Sequence, residues 1–260
     1  MSSELKVMSF NMRTQSKGDG ENQFLCRKEF IGDFLNTVKP DVIGCQEMMP
    51  VMRDWMVEKM TDYYIVGGYR GKNYDNECVC VAFKKDKFSL YDCETFWLSA
   101  EPYTPGSRYT GDQSTCPRVC TWVMLKPNGE EKPFRFYNVH TDHVGHVARV
   151  LASNQVLQKI GENNARAKMK TFVTGDFNAT PDDLCITTML NYQGSPLVDL
   201  SAQSGQTFHA FGKRQDPNCK IDYIFADADT TCVDFKKFED RRGELYLSDH
   251  NPIMATVLID

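Results

Sequence analysis

Asp176 and Asn178, within the stretch TFVTGDFNATP (171–181), set a carboxylate and a primary amide two residues apart. Side chains alternate along an extended backbone, so this spacing lets both project to the same side. The carboxylate could take a proton from water, while the amide could orient that water or donate to an anionic oxygen. An Asx turn, with both side chains bonded to their own backbone, is the competing account of an isolated D-x-N. Other polar residues weigh against it. Asn11, Glu47 and His140 end or closely follow apolar runs, Asp222 lies inside one, and Asp249-His250 precedes the last. A polar side chain gains little at the end of a core strand unless something binds there, with simple turn formation the alternative at Asn11. The Asp222 carboxylate needs a partner, either a structural Arg or Lys or a histidine whose imidazole it would orient.

Two further signals remain open. His140, His143 and His146 are spaced by three, as in metal ligation from a helix, and imidazoles suit zinc. No matching Cys or carboxylate scaffold accompanies them, and His143 and His146 equally read as the opening of the next helix. Arg118 starts a strand and offers either a bidentate contact to phosphate or a surface ion pair.

The elements that must position these groups follow from the apolar pattern. A strand at 6–11 is followed by a helix with Phe30, Ile31, Phe34, Leu35 and Val38 on one side, stopped by Pro40. The strand 42–45 then ends in Gln46-Glu47. Such a strand, helix, strand succession is a parallel crossover unit, which binds ligands at the carboxyl ends of its strands, and Asn11 and Glu47 share that end. A helix at 52–60 and strands at 63–68, 78–83, 96–98 and 119–125 come next. The segment 99–117 has no periodic apolar pattern and reads as a substrate-facing loop. In the strand 134–140, Phe134, Phe136, Asn138 and His140 share a face. A helix at 144–160 packs through Val147, Val150, Leu151, Leu157 and Ile160. The strand 171–174 runs into Gly175, read as a tight turn, and Asp182-Asp183 open another helix. Strands at 220–225 and 253–259 complete the chain.

With 260 residues and no Pro, Gly or Ser-rich linker, 1–260 is expected to form a single domain. No apolar run approaches the ~20 residues of a membrane span, and the start lacks the pattern of a secretory signal. None of the ten cysteines forms a C-x-x-C pair, and Cys45, Cys78, Cys80 and Cys120 lie in core strands, so reduced buried thiols and a cytoplasmic monomer are expected. The net charge of -5 gives no general attraction to a phosphate backbone and disfavours extended duplex DNA as partner.

Taken in order, SFN (9–11), QE (46–47), YNVH (137–140), GDFN (175–178), IDYIF (221–225) and SDHNP (248–252) resemble the endonuclease/exonuclease/phosphatase superfamily, over nearly the whole chain. The resemblance implies a DNase I-like, four-layer αββα sandwich of two mixed sheets, with a metal-dependent phosphoesterase site across the top. It casts Glu47 as the principal Mg2+ ligand, with Asn11 and Asp249 nearby and Mn2+ as a substitute. It further implies that Asp176 activates the attacking water and that Asn178 holds the water or the phosphate. His140 would contact a non-bridging oxygen, and His250, oriented by Asp222, would donate to the phosphoryl group. Arg13 stands where many DNA-repair members have an acid, and His140 where they have a tyrosine. Both turn the expectation away from abasic-site DNA and toward a branch like the deadenylases and sphingomyelinases. The segments 96–107 and 117–122 resemble a loop of an uncharacterised bacterial branch. The expected substrate is a small phosphorylated metabolite, with Arg118 and Trp97 as further contacts. The alternative is a single-stranded nucleic acid whose bases stack on Trp97, Tyr103, Tyr109 and Trp122. A non-catalytic phosphate-binding module is the rival from outside enzymology, and a membrane partner is not expected.

Overall fold

Neighbouring residues of the first strand are buried in different cores. In β1 (Ser3–Asn11), Leu5 and Val7 face one apolar cluster while Met8 and Phe10 face another, as a strand covered on both sides requires. The computed structural model describes residues 3–129 and 132–259. After β1 come a short 3-10 helix (Lys17–Asn22), α1 (Phe24–Val38), β2 (Val42–Met48), α2 (Pro50–Lys59), β3 (Tyr63–Val66), β4 (Cys78–Lys84) and β5 (Phe88–Trp97). Next are β6 (Val119–Pro127), β7 (Phe134–His140), α3 (His146–Arg166), β8 (Lys170–Asp176) and α4 (Leu184–Leu190). The chain ends with β9 (Leu197–Asp199), β10 (Asp222–Asp227), β11 (Cys232–Lys237), β12 (Arg241–Arg242), β13 (Leu245–Tyr246) and β14 (Ile253–Ile259).

Two six-stranded sheets form, ordered β11-β14-β1-β2-β4-β3 and β5-β6-β7-β8-β10-β9, beside a small β12-β13 ribbon. Both are mixed. The pairs β1–β2 and β7–β8 run parallel, and their neighbours run antiparallel. Val7, Phe83, Phe136, Phe172 and Ile224 fill the space between the sheets. Phe10, Phe34, Met52 and Trp55 join the first sheet to α1 and α2, and Val139, Val156, Ile160 and Ile186 join the second to α3 and α4. This is the αββα sandwich of a DNase I-like fold. Among the described residues no helix is long and apolar enough to cross a membrane.

The parallel crossover places Asn11 beside Gln46 at the ends of β1 and β2. In the second sheet His140 pairs with Asp176, and Asp222 pairs with Asp176 from the other side. One end of the sandwich thus collects the polar strand ends from both sheets.

Several local expectations are corrected. Gly175 lies inside β8 rather than in a turn, and a Cβ there would stand 2.3 Å from the Val139 carbonyl oxygen, so the glycine serves strand approach. The chain turns three residues later, at Asn178, whose φ is 49°. The helix read at 144–160 is α3, and its Val147 and Leu151 face solvent. Its buried side uses small residues, Ala148, Ala152 and Ser153, which a count of large apolar side chains overlooks. The strand read at 96–98 is the end of the longer β5, whose exposed run from Ser89 to Cys93 hides an edge strand held by backbone pairing to β6. Reduced thiols hold for Cys45 and Cys120, but Cys78 and Cys80 form a disulfide within β4, two residues apart on one strand face.

Candidate active site

Backbone geometry at the strand ends aims the first polar groups. Glu47 has φ 62°, and the β2–β4 register shifts between Cys45 and Met48. A bulge of this kind re-aims a side chain at the cost of a left-handed backbone, about 1 kcal/mol or more for a residue with a Cβ. Glu47 Oε2 is thereby placed to accept the Thr14 N–H at 2.9 Å, and Oε1 accepts from Asn11 Nδ2 at 3.1 Å. Arg13, also left-handed with φ 52°, donates its backbone N–H to Asn11 Oδ1.

Asp176 is the hub. Its Oδ1 accepts the Asn178 N–H at 2.8 Å, and its Oδ2 accepts from Asn11 Nδ2 at 2.9 Å. Nε2 of His140 and Nε2 of His250 lie 3.5 and 3.7 Å from the same Oδ2. The Asx turn is made by Asp176 alone, one carboxylate oxygen closing it and the other facing the cluster. Asn178 Nδ2 donates to the Thr141 carbonyl at 3.1 Å. His250 Nδ1 is 2.8 Å from Asp222 Oδ2, so the partner of the buried aspartate is a histidine. Phe208 covers that imidazole, ring centres 4.8 Å apart. Asp249 lies beside the group, its Oδ2 3.6 Å from Arg13 Nε.

Charge follows burial and neighbours. Burial pushes the Asp176 carboxyl up to about 7, with Asp222 and Glu47 adding to it and His250 opposing. Burial raises Asp249 as well. For His250 burial would favour the neutral ring, yet Asp222 and Asp176 outweigh it and hold the imidazole charged well above its ordinary range. His140 moves the other way, lowered by burial and then by the Arg118 and Arg70 guanidinium groups. Burial also works against the Glu47 carboxylate, but the Thr14 amide, His250 and Asn11 keep its proton affinity below normal. The site thus pairs one charged with one neutral imidazole around a carboxylate poised near neutrality.

Other expected residues lie at its edges. Arg118 is 5 % exposed, with Nη2 2.9 Å from His143 Nδ1 and Nε 3.6 Å from Asp142 Oδ2. His143 and His146 stand apart from the cluster, His146 beside Asp183. Trp97 is buried against Val79 and Val119, and its indole N–H donates to the Arg70 carbonyl at 2.7 Å. Its position fixes the Arg70 loop and leaves little ring face open.

Sequence reasoning overlooked three groups. Arg70 and Glu77 form a 2.8 Å ion pair near His140 and Arg118. Arg27 of α1 is fully buried and donates to the carbonyls of Asn22, Leu247, Met12 and Arg13. It ties the loop after Asn11 to the loop before Asp249-His250. A signal existed, because Arg27 falls on the helical stripe of Phe24, Ile31 and Phe34.

Two groups of side chains converge closely enough to hold a divalent ion. Glu47, His140 and Asp176 offer ligand atoms within 4.8 Å of one another, as do Asp176, Asp222 and His250. In the second group Asp222 and His250 already engage each other. The first offers the Glu47 and Asp176 carboxylates to a hard divalent cation, and Asn11 Nδ2, by donating to both, holds them in place. A cation there would also relieve the burial of Asp176. The chain's residues fit a metal, and fold and donor clusters together support metal-dependent phosphoester hydrolysis.

No curated protein matches the sequence. Among solved structures, an endonuclease/exonuclease/phosphatase from Bacteroides vulgatus is 27% identical, with 99% of this chain and 100% of that chain covered and a TM-score of 0.90. A family protein from Bacteroides thetaiotaomicron is 25% identical over 100% of this chain and 99% of its own, with TM-score 0.87. A mannosyl-6-phosphatase from Bacteroides thetaiotaomicron VPI-5482 shares the fold at 24% identity and TM-score 0.85, covering 97% of this chain and 99% of that one. The profile of the endonuclease/exonuclease/phosphatase family matches residues 8–250, and the chain belongs to that family.

Proposed function

We propose that this chain is a magnesium-dependent phosphoesterase, able to use manganese, that acts on a small phosphorylated metabolite. The reading is carried by the convergence of Asn11, His140 and His250 on one oxygen of the buried Asp176 carboxylate. Glu47, with Asn11 and Asp249 beside it, would hold the metal, which supplies positive charge to the phosphoryl oxygens. Asp176 accepts the proton of the attacking water, a role suited by an affinity near neutrality. Asn178, anchored to the Thr141 carbonyl, keeps a second amide hydrogen for that water or a phosphoryl oxygen. His140 stays neutral and donates one N–H to a non-bridging oxygen. His250, held charged by Asp222, donates to the phosphoryl group as negative charge builds. The water oxygen bonds to phosphorus as its proton passes to Asp176, the ester P–O bond breaks, and the leaving oxygen takes a proton from solvent to depart as the alcohol.

A small substrate is favoured over a single-stranded nucleic acid by two observations. The net charge is -5. Of the aromatic residues considered for base stacking, Trp97 and Trp122 are buried with their indole N–H groups donated to Arg70 and Glu94. The fold also serves a mannosyl-6-phosphatase in Bacteroides thetaiotaomicron, which makes sugar phosphates a natural part of a test panel.

The test is hydrolysis of bis-p-nitrophenyl phosphate, sugar phosphates, inositol phosphates, a labelled poly(A) strand and abasic duplex DNA, with magnesium or chelator, by wild type and Asp176→Asn. Chelator-sensitive turnover of a small phosphate ester, lost at least a hundredfold in a folded variant, is expected. Turnover of the poly(A) strand alone would overturn the substrate class, and undiminished turnover in the variant would overturn the role of Asp176.

A further inference from the structure

Arg118 is a buried cation whose donors are not used up. The residue is 5 % exposed, yet its Nε and Nη1 have no hydrogen-bond partner among the described residues. Leaving charged donors buried and unpaired is costly, so such a group marks a place where an anion binds. The nearby carboxylate does not fill that place. Asp142 stands 3.6 Å from Arg118 Nε, and its oxygens are taken by the Ser114 amide and hydroxyl and by the Val144 and Gly145 amides. His143 Nδ1 accepts only Nη2.

Arg149, whose Nε also lacks a partner among the described residues, is turned to the Asp142 carbonyl, His146 and Asp183, and the guanidinium groups beside the cluster are committed. Arg13 is bidentate to Asp19, Arg70 is paired with Glu77, and Arg27 spends its donors on backbone carbonyls. Position follows from the sheet. Cys120 pairs with Val139 across β6–β7, and His140 pairs with Asp176 across β7–β8, so Arg118 lies just beyond the row that carries His140 and Asp176. Adjacent strands are about 4.8 Å apart, which puts the start of β6 about two strand spacings from Asp176 and one from His140. An arginine side chain spans such a distance.

We propose that Arg118 is the specificity-determining contact for a phosphomonoester, binding a non-bridging oxygen of the terminal phosphoryl group on the side of His140. A monoester offers one more non-bridging oxygen than a diester and roughly one more negative charge near neutral pH. A planar guanidinium with two free N–H donors matches that extra oxygen. The inference rests on the phosphoesterase reading and narrows it from esters in general to the monoester.

The experiment compares p-nitrophenyl phosphate with bis-p-nitrophenyl phosphate, with magnesium, in wild type, Arg118→Lys and Arg118→Gln, alongside calorimetric titration with inorganic phosphate and with dimethyl phosphate. Arg118→Gln is expected to lower kcat/KM for the monoester by about a hundredfold and for the diester by less than about tenfold. Phosphate affinity should fall at least about tenfold, with little change for dimethyl phosphate. Arg118→Lys keeps the charge and should recover part of both. Thermal melting by circular dichroism identifies variants that remain folded, and Arg118→Lys carries the comparison if Arg118→Gln does not. Equal losses on both esters, or unchanged phosphate affinity, would overturn the proposal. If wild type hydrolyses neither these esters nor any sugar or inositol phosphate, the phosphoesterase reading fails, and the phosphate titration still decides whether Arg118 is the anion contact.

Discussion

Replacing Asp222 by Asn separates charge from position at the His250 imidazole. The amide is nearly isosteric, and its carbonyl oxygen can still accept from His250 Nδ1, which lies 2.8 Å from the present carboxylate. What disappears is the negative charge. Two unit charges about 4 Å apart at an effective dielectric near 20 attract by about 4 kcal/mol, and a pKa unit corresponds to about 1.4 kcal/mol. The imidazole should therefore lose much of its proton affinity. Asp222 is the foremost of the charges that oppose burial at His250, so the remaining carboxylates compensate only in part. The sign is definite. His250 acts as a donor only while protonated; wild type keeps it so well above its ordinary range, so the alkaline fall of kcat lies at high pH. In Asp222→Asn that fall moves to lower pH, and the loss of activity deepens as pH rises. The pH profile of kcat at saturating metal and the NMR titration of the His250 ring both read this shift. A loss of equal size at every pH, with the alkaline limb unmoved, would refute the electrostatic reasoning and leave Asp222 as a steric prop.

Glu47→Gln can accept from only one of Asn11 Nδ2 and the Thr14 N–H, because its amide nitrogen is a donor, and should raise the magnesium concentration for half-maximal activity at least about tenfold; an unchanged titration would exclude Glu47 as principal ligand. Arg27→Met removes donors from four backbone carbonyls, each worth about 1–3 kcal/mol if left buried and unpaired. Because burial already lowers Arg27 to about 10, release of that charge offsets part of the loss. The net destabilisation is expected near 1–3 kcal/mol by urea unfolding, with kcat reduced more than KM is raised, as loosening of the Met12 and Leu247 loops requires. Full kcat in the variant would show that these loops hold their own geometry.

The layered fold was legible in the sequence because its strands carry apolar residues on both faces, as Val7 and Met8 do in β1. The paired ends were legible too, since Asn11, Glu47, His140 and Asp176 interrupt such runs with groups that a core strand has no use for. What stayed hidden depends on distant neighbours. The edge strand β5 is exposed along Ser89–Cys93 and is defined by its partner, and β11 has the same exposed character. Gly175 signals a turn by type but meets Val139 across the sheet, a contact no local pattern contains. Arg118 could be read equally as a surface ion pair, and only its burial with unpaired donors distinguishes the two.

The candidate site also straddles the seam between the sheets, which explains polar residues beneath it that perform no chemistry. Asn11 and Glu47 come from the first sheet, and His140, Asp176 and Asp222 from the second. Apolar packing alone would hold two such sheets together without fixing their offset to the fraction of an ångström that aligned groups need. A buried amide cluster supplies that constraint. Gln46 Nε2 donates to Asn138 Oδ1 at 2.6 Å, while Asn138 Nδ2 donates across the seam to the carbonyls of Cys45 and Cys80 at 2.9 and 2.8 Å. Thr174 adds a further donor to Asn138 Oδ1 at 3.2 Å. Gly44 lets the sheets approach, because a Cβ there would lie 2.1 Å from Thr174 Oγ1 and 2.6 Å from Asn138 Oδ1. Directional bonds at the seam, each with few alternative partners, specify one register where dispersion would tolerate several. The Asn11–Asp176 contact, one layer above, inherits its geometry from them.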